Sequence, residues 1–165
     1  MTGVQTCALP ICVPPQSLNG VLVAQGGRFG GWSLYAVDGH LRYAYNRYGK
    51  DLTVINAEPV MWPGQHEVVL DFTYDGGPPG SGGLARILLD GTQVASGRVE
   101  ATTAYYFAFD ETFNVGVDRG SPVVDDYPPV RNAFTAEIVR VVVDLAPGTP
   151  LSPDDEVMLR ARLAD

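Results

Sequence analysis

The chain has 165 residues, enough for one domain with a real core. Hydrophobic residues at 45% and charged residues at 18% describe a folded globular chain and exclude a disordered one. A net charge of −8 argues against binding nucleic-acid phosphates or an anionic membrane surface, and no apolar run approaches the roughly 20 residues of a transmembrane helix.

Residues 1–11, MTGVQTCALPI, read as the translation of a common sequencing adapter begun at a GTG codon. The segment has no basic start and Pro10 breaks its apolar stretch, so it does not read as a signal peptide. Residues 1–12 are therefore set aside as adapter-derived, and the open reading frame is expected to have continued upstream. Cys7 and Cys12 then say nothing about redox compartment. This leaves a β-domain over 13–146 and a Pro-rich linker with a short helix over 147–165.

The centre of the pattern is 20–48, GVLVAQGGRFGGWSLYAVDGHLRYAYNRY. It predicts strands at 21–25, 32–37 and 41–48, with Asp38-Gly39 as a type I′ hairpin turn. Leu41, Tyr43 and Tyr45 share one face. A weaker strand follows at 52–56. Residues 65–74 alternate clearly, Val68, Leu70, Phe72 and Tyr74 against Glu67, Asp71 and Thr73, as a half-buried antiparallel strand does. After the breaker run DGGPPGSGG, 84–89 and 93–99 form a second hairpin about Asp90-Gly91. Residues 105–116 predict a strand entering a structured loop that lasts to Asn132. Residues 134–145, FTAEIVRVVVDL, read as a long strand, apolar enough on both faces to be central. A helix is predicted over 152–164, with Ser152 as N-cap and Pro153 in its first turn. The sum is an all-β antiparallel sandwich with a short C-terminal helix.

Chemistry is sparse. Gly26 to Gly31 holds Arg28 between glycines but lacks the Gly-Lys-Ser/Thr ending of a phosphate loop. His40 and His66 stand alone, with no zinc spacing and no Gly-x-Ser-x-Gly nucleophile to serve, so no catalytic or metal residue is assigned. Asp110, Glu111, Asp118, Asp125 and Asp126 crowd one loop-rich window. They read either as Ca²⁺ ligands on irregular backbone or as turn caps and partners for Arg119 and Arg131. Trp32, Trp62, Tyr35, Tyr43, Tyr45 and Tyr48 read either as core filling or as a platform for sugar rings.

Four stretches carry a resemblance: 20–46, LDFTYDGG at 70–77, FDETFNVGVDRGSPVVDDY at 109–127, and 134–145. Together they resemble the C-terminal domain of bacterial arylsulfatases. The resemblance implies a jelly-roll sandwich, similar to concanavalin A and laminin G modules, behind an α/β catalytic domain that would be this chain's partner. That domain would hold the chemistry: a formylglycine from a Cys-x-Pro-x-Arg motif and a divalent cation, usually Ca²⁺. Cys12-Val13-Pro14-Pro15-Gln16 has no arginine, so none of these residues is carried onto this sequence. The implied role is non-catalytic, with Arg28, Trp32, Asp110, Glu111, Asp118 and Tyr127 as interface or ligand candidates. The competing expectation is a laminin G or lectin-like module that binds a glycan, with Trp32 or Trp62 stacking on it.

Overall fold

The computed structural model describes residues 4–14, 17–104, 107 and 112–145. They form two antiparallel sheets. One contains β1 (Val4–Val13), β6 (Gly64–Tyr74), β7 (Ser81–Leu89) and β8 (Thr92–Ala101), with β10 (Glu137–Ile138) and β11 (Val142–Leu145) both on the free side of β1. The other runs β5 (Asp51–Val60), β4 (His40–Arg47), β3 (Gly30–Val37), β2 (Gly20–Gly27) and β9 (Phe113–Val115). The chain crosses between sheets after β1, β5, β8 and β9. This is a β-sandwich, as the alternation and turns predict; the helix expected over 152–164 lies outside the described residues.

Period-2 alternation puts one face of each sheet into the shared core. Leu41, Tyr43 and Tyr45 of β4 face Val68 and Leu70 of β6 and Ile87 of β7, all buried. Burying side chains of this size contributes about 1.5–3 kcal/mol each. The two Asp-Gly pairs make the predicted turns, with φ of 50° at Asp38, 85° at Gly39, 51° at Asp90 and 76° at Gly91.

Two segments depart from expectation. Residues 4–13, set aside for their adapter-like sequence, occupy the place between β6 and the β10/β11 pair. Cys7, Leu9, Ile11 and Val13 point into the core in strand period and are buried. The β-sandwich of the structure thus begins before residue 13.

The second departure is a correction. Residues 134–145 are not one central strand but two short pieces on the edge of the sheet, and Val142, Val143 and Leu145 are exposed. Ile138 pairs with Ile11 and Val142 with Ala8, so the C-terminal side has one more residue than β1 in this interval. Pro10 lies at that point. Its carbonyl accepts from the Val139 N–H at 3.0 Å, but it has no N–H to return, and the ladder breaks there.

The outer face of the β2–β5 sheet is not bare. The 116–132 loop folds across it, and Val124 and Tyr127 close over Val21, Ala24, Tyr35 and Ala44 as a second small core. A bulge in β2 between Val21 and Val23 helps to serve both layers: Val21 belongs to this outer cluster, Leu22 and Val23 to the inner one. The loop docks through Val21, which donates to Asn132 O at 2.9 Å and bridges to Ala133. Only glycine fits just before it: at Gly20 φ is +96°, and a Cβ would lie 2.3 Å from the Ala133 carbonyl oxygen.

Candidate functional site

The 116–132 loop is held by polar side chains that meet across long stretches of sequence. Tyr127 donates its hydroxyl to Asp118 Oδ2 at 2.6 Å, and the Val123 N–H reaches the same oxygen at 3.2 Å. The Asn132 amide donates to Asp118 O and Pro128 O and accepts from the Asp118 N–H, each at 3.0 Å. Tyr35 and Arg42 both donate to Asp126 Oδ2 at 2.7 Å. Burial, then the hydrogen bond to the neighbouring carboxyl, raises the phenol pKa of Tyr35 and of Tyr127. Asp118 and Tyr127 are therefore bonded to each other inside the fold. Asp110 and Glu111 lie outside the described residues. Among the described residues no cluster of three or more His, Cys, Asp or Glu could hold a metal ion.

At one end of the sandwich this loop meets two hairpins and forms a rim. Arg28 and Phe29 are the β2–β3 turn; Tyr48, Gly49 and Lys50 are the β4–β5 turn. Asn46, nearly buried, ties all three pieces: its Nδ2 donates to Arg28 O at 3.0 Å and Val123 O at 2.9 Å, and its Oδ1 accepts from the Gly49 N–H at 2.8 Å. Arg28 adds a backbone bond to Ser121 Oγ at 3.0 Å and an ion pair to Asp125 at 3.1 Å. The ends of that pair are 58% and 91% exposed, so it is worth little to stability and leaves both groups accessible.

The rim encloses a depression of about 480 Å³. Its exposed apolar members are Phe29, Tyr48 and Leu52, and its polar ones Arg28, Lys50 and Asp125. The Arg47 guanidinium lies over the Tyr48 ring, 6.0 Å from its centre, and pairs with Asp51. Aromatic faces beside planar charged groups, on a scaffold tied from three directions, suit hydroxyl-rich ring ligands.

The tryptophans stand apart from the rim. Trp32 lies on the inner face of β3, half-buried, with Tyr43 at 6.3 Å and Phe113 at 6.2 Å between ring centres, and its Nε1 donates to Gln25 Oε1 at 3.3 Å. Trp62 is at the opposite end, 55% exposed, its ring edge against His66. His66 Nδ1 lies 2.8 Å from Asp90 Oδ2, and its Nε2 lies 3.0 Å from Trp62 O. Of the residues singled out in the sequence, the structure brings Arg28 close to the loop of Asp118 and Tyr127 and leaves Trp32 and Trp62 separate. Phe29, Asn46, Tyr48 and Lys50 complete the rim. The Arg47–Lys50 turn could have suggested part of it, whereas nothing local to Asn46 announces its role.

The sequence matches no protein-family model and no curated protein. Solved structures do match in fold. The chain superposes on mouse laminin α1 domains LG4-5 with a TM-score of 0.59 and 18% identity, covering 90% of this chain and 38% of that one. It superposes on the CBM40 of the Ruminococcus gnavus IT-sialidase, bound to α2,6-sialyllactose, with a TM-score of 0.54 and 12% identity over 96% and 82% of the two chains. A Limulus polyphemus SAP-like pentraxin gives 0.51 and 13% over 87% and 69%. The chain thus spans well under half of the laminin pair. At these identities the likeness is one of fold, and the fold is the jelly-roll sandwich of laminin G and CBM40 domains.

Proposed function

We propose that this chain is a non-catalytic binding module whose ligand is a glycan, held at the rim formed by Arg28, Phe29, Tyr48 and Lys50. The observation that carries the reading is the rim itself. Exposed aromatic rings stand beside a guanidinium, an ammonium and a carboxylate, and Asn46 fixes the backbone beneath them. Phe29 is 72% exposed and contributes nothing to either core, an expenditure of apolar surface that a stacking role explains. The R. gnavus CBM40, caught with sialyllactose, shares the fold and supports the choice of ligand class. The test is a glycan array probed with the whole chain, followed by calorimetry on the best hit with the Phe29→Ala/Lys50→Ala pair. At least a tenfold loss with an unchanged melting temperature is expected. An array with no hit, or full binding by the double variant, would overturn the reading.

A second reading is the accessory domain of an arylsulfatase-type sulfuric ester hydrolase. It is favoured by the sequence stretches that resemble that family: 20–46 and the described part of 109–127 pack on one another as a unit. Its partner would be a catalytic domain of the same chain, and formylglycine and Ca²⁺ would belong to that domain. Reading the gene upstream of the Cys12 codon and finding no Cys-x-Pro-x-Arg there would remove it.

A further inference from the structure

The two sheets part at the rim end and leave a cleft of about 660 Å³ between them. One wall is Trp32, Tyr43 and Tyr45 on the inner face of the β2–β5 sheet; the other is Leu70, Phe72 and Tyr74 on β6. Phe113 and Phe107 lie on the first side, and Cys7, Val143 and Leu145 on the second. A sandwich core is otherwise close-packed, with few voids larger than a water molecule. At the opposite end Leu41, Met61, Val68 and Leu89 fill the same interlayer space.

The chemistry of this cleft differs from that of the rim. None of its described lining residues is Asp, Glu, Lys, Arg or His. Burial pushes the Cys7 thiol up to about 11 and raises the phenols of Tyr43 and Tyr45. The few polar groups are uncharged. Tyr45 Oη accepts from the Thr103 N–H at 2.8 Å and keeps its own proton to donate. A ligand oxygen arriving in the cleft would accept that proton.

From this geometry we infer that the cleft between the sheets is a second binding site, for an uncharged, mostly apolar, ring-bearing molecule with an alcohol or ketone oxygen. Its volume lies in the range of small-molecule sites, and aromatic walls with a few placed polar atoms are their usual lining. A charged ligand is excluded because no described wall residue could pair with it and desolvation would go uncompensated. The site is independent of the glycan reading and stands or falls separately.

The test uses the whole chain carrying Trp62→Phe, which leaves Trp32 as the sole tryptophan, and the uncharged fluorophore N-phenyl-1-naphthylamine. Saturable one-site enhancement of the probe, with matching quenching of Trp32, is the expected result. 2-Naphthol should displace the probe at least tenfold more effectively than 2-naphthoate, which has similar shape but carries charge. Ala104→Phe, which fills the cleft, should weaken probe binding at least tenfold. Should that variant fold poorly, the naphthol–naphthoate comparison decides on the Trp62→Phe chain alone. No saturable binding, or equal displacement by alcohol and carboxylate, would overturn the inference.

Discussion

The rings of Tyr35 and Tyr127 meet edge to face, 5.1 Å between centres, although 92 positions separate them in the chain. That contact lies at the heart of the outer core, where the 116–132 loop becomes a third layer over β2–β5. Because Val123 and Asn132 are bonded to the same loop and Val123 O also receives Asn46, the rim inherits its rigidity from this layer.

Removing the Tyr127 hydroxyl tests this dependence. Tyr127→Phe keeps the ring contact and loses the 2.6 Å bond to Asp118. A loss of about 1–3 kcal/mol in urea unfolding is expected. In amide exchange the backbone N–H of Val123 should lose protection along with it, and unaltered exchange there would count against the coupling.

Alkaline pH should weaken the fold. Burial raises the pKa of Tyr35, Tyr43, Tyr45 and Tyr127, four of the eight tyrosines. In the unfolded chain these phenols ionise near about 10. The folded state then holds protons that the unfolded state has released, so their contribution is complete below that pH and is lost as pH rises through the folded values. Phenolate absorbance should show a fraction of the tyrosines silent until the chain unfolds. Smooth titration of all eight in the folded protein would contradict the burial.

Asp90 governs the opposite, acidic limb. Its Oδ1 accepts from the Glu67 N–H at 2.9 Å and its Oδ2 faces His66 Nδ1 at 2.8 Å. The Glu67 N–H first, then His66, lowers its pKa. A depressed carboxyl stabilises above the unfolded value of about 3.9 and loses that contribution as pH falls through the folded one. Asn at this position tolerates the positive φ and keeps an oxygen for Glu67. Asp90→Asn should therefore be less stable than the wild type at neutral pH, with the gap closing under acid. A gap that persists at low pH would refute the assignment.

β1 should behave as core, whatever the origin of its codons. Leu9 is fully buried among β6 and the facing sheet, and Leu9→Ala is expected to cost about 2–5 kcal/mol. Exposed Cys12 serves as the control, and Cys12→Ser should stay within about 0.5 kcal/mol. Deleting residues 1–13 should abolish cooperative thermal unfolding; a truncated chain that melts as sharply as the intact one would show β1 to be dispensable.

Read alone, the sequence determines the β-sandwich class, the two Asp-Gly hairpins and the inward faces of β4 and β6. These depend on neighbours two to four residues apart, where alternation and turn stereochemistry act directly. The tertiary structure decides the rest. Cys7, Leu9, Ile11 and Val13 have the period of a strand, but only pairing with β6 and the facing sheet gives that face a core to enter. The break in 134–145 comes from a missing N–H on Pro10, a residue more than a hundred positions away that only pairing brings alongside. Asn46 unites two hairpins and a loop through bonds to Arg28 and Val123, 18 and 77 positions distant. No local pattern encodes such contacts, because hydrogen-bond partners and apolar neighbours in a sandwich are chosen by the stacking of sheets and not by the order of the chain.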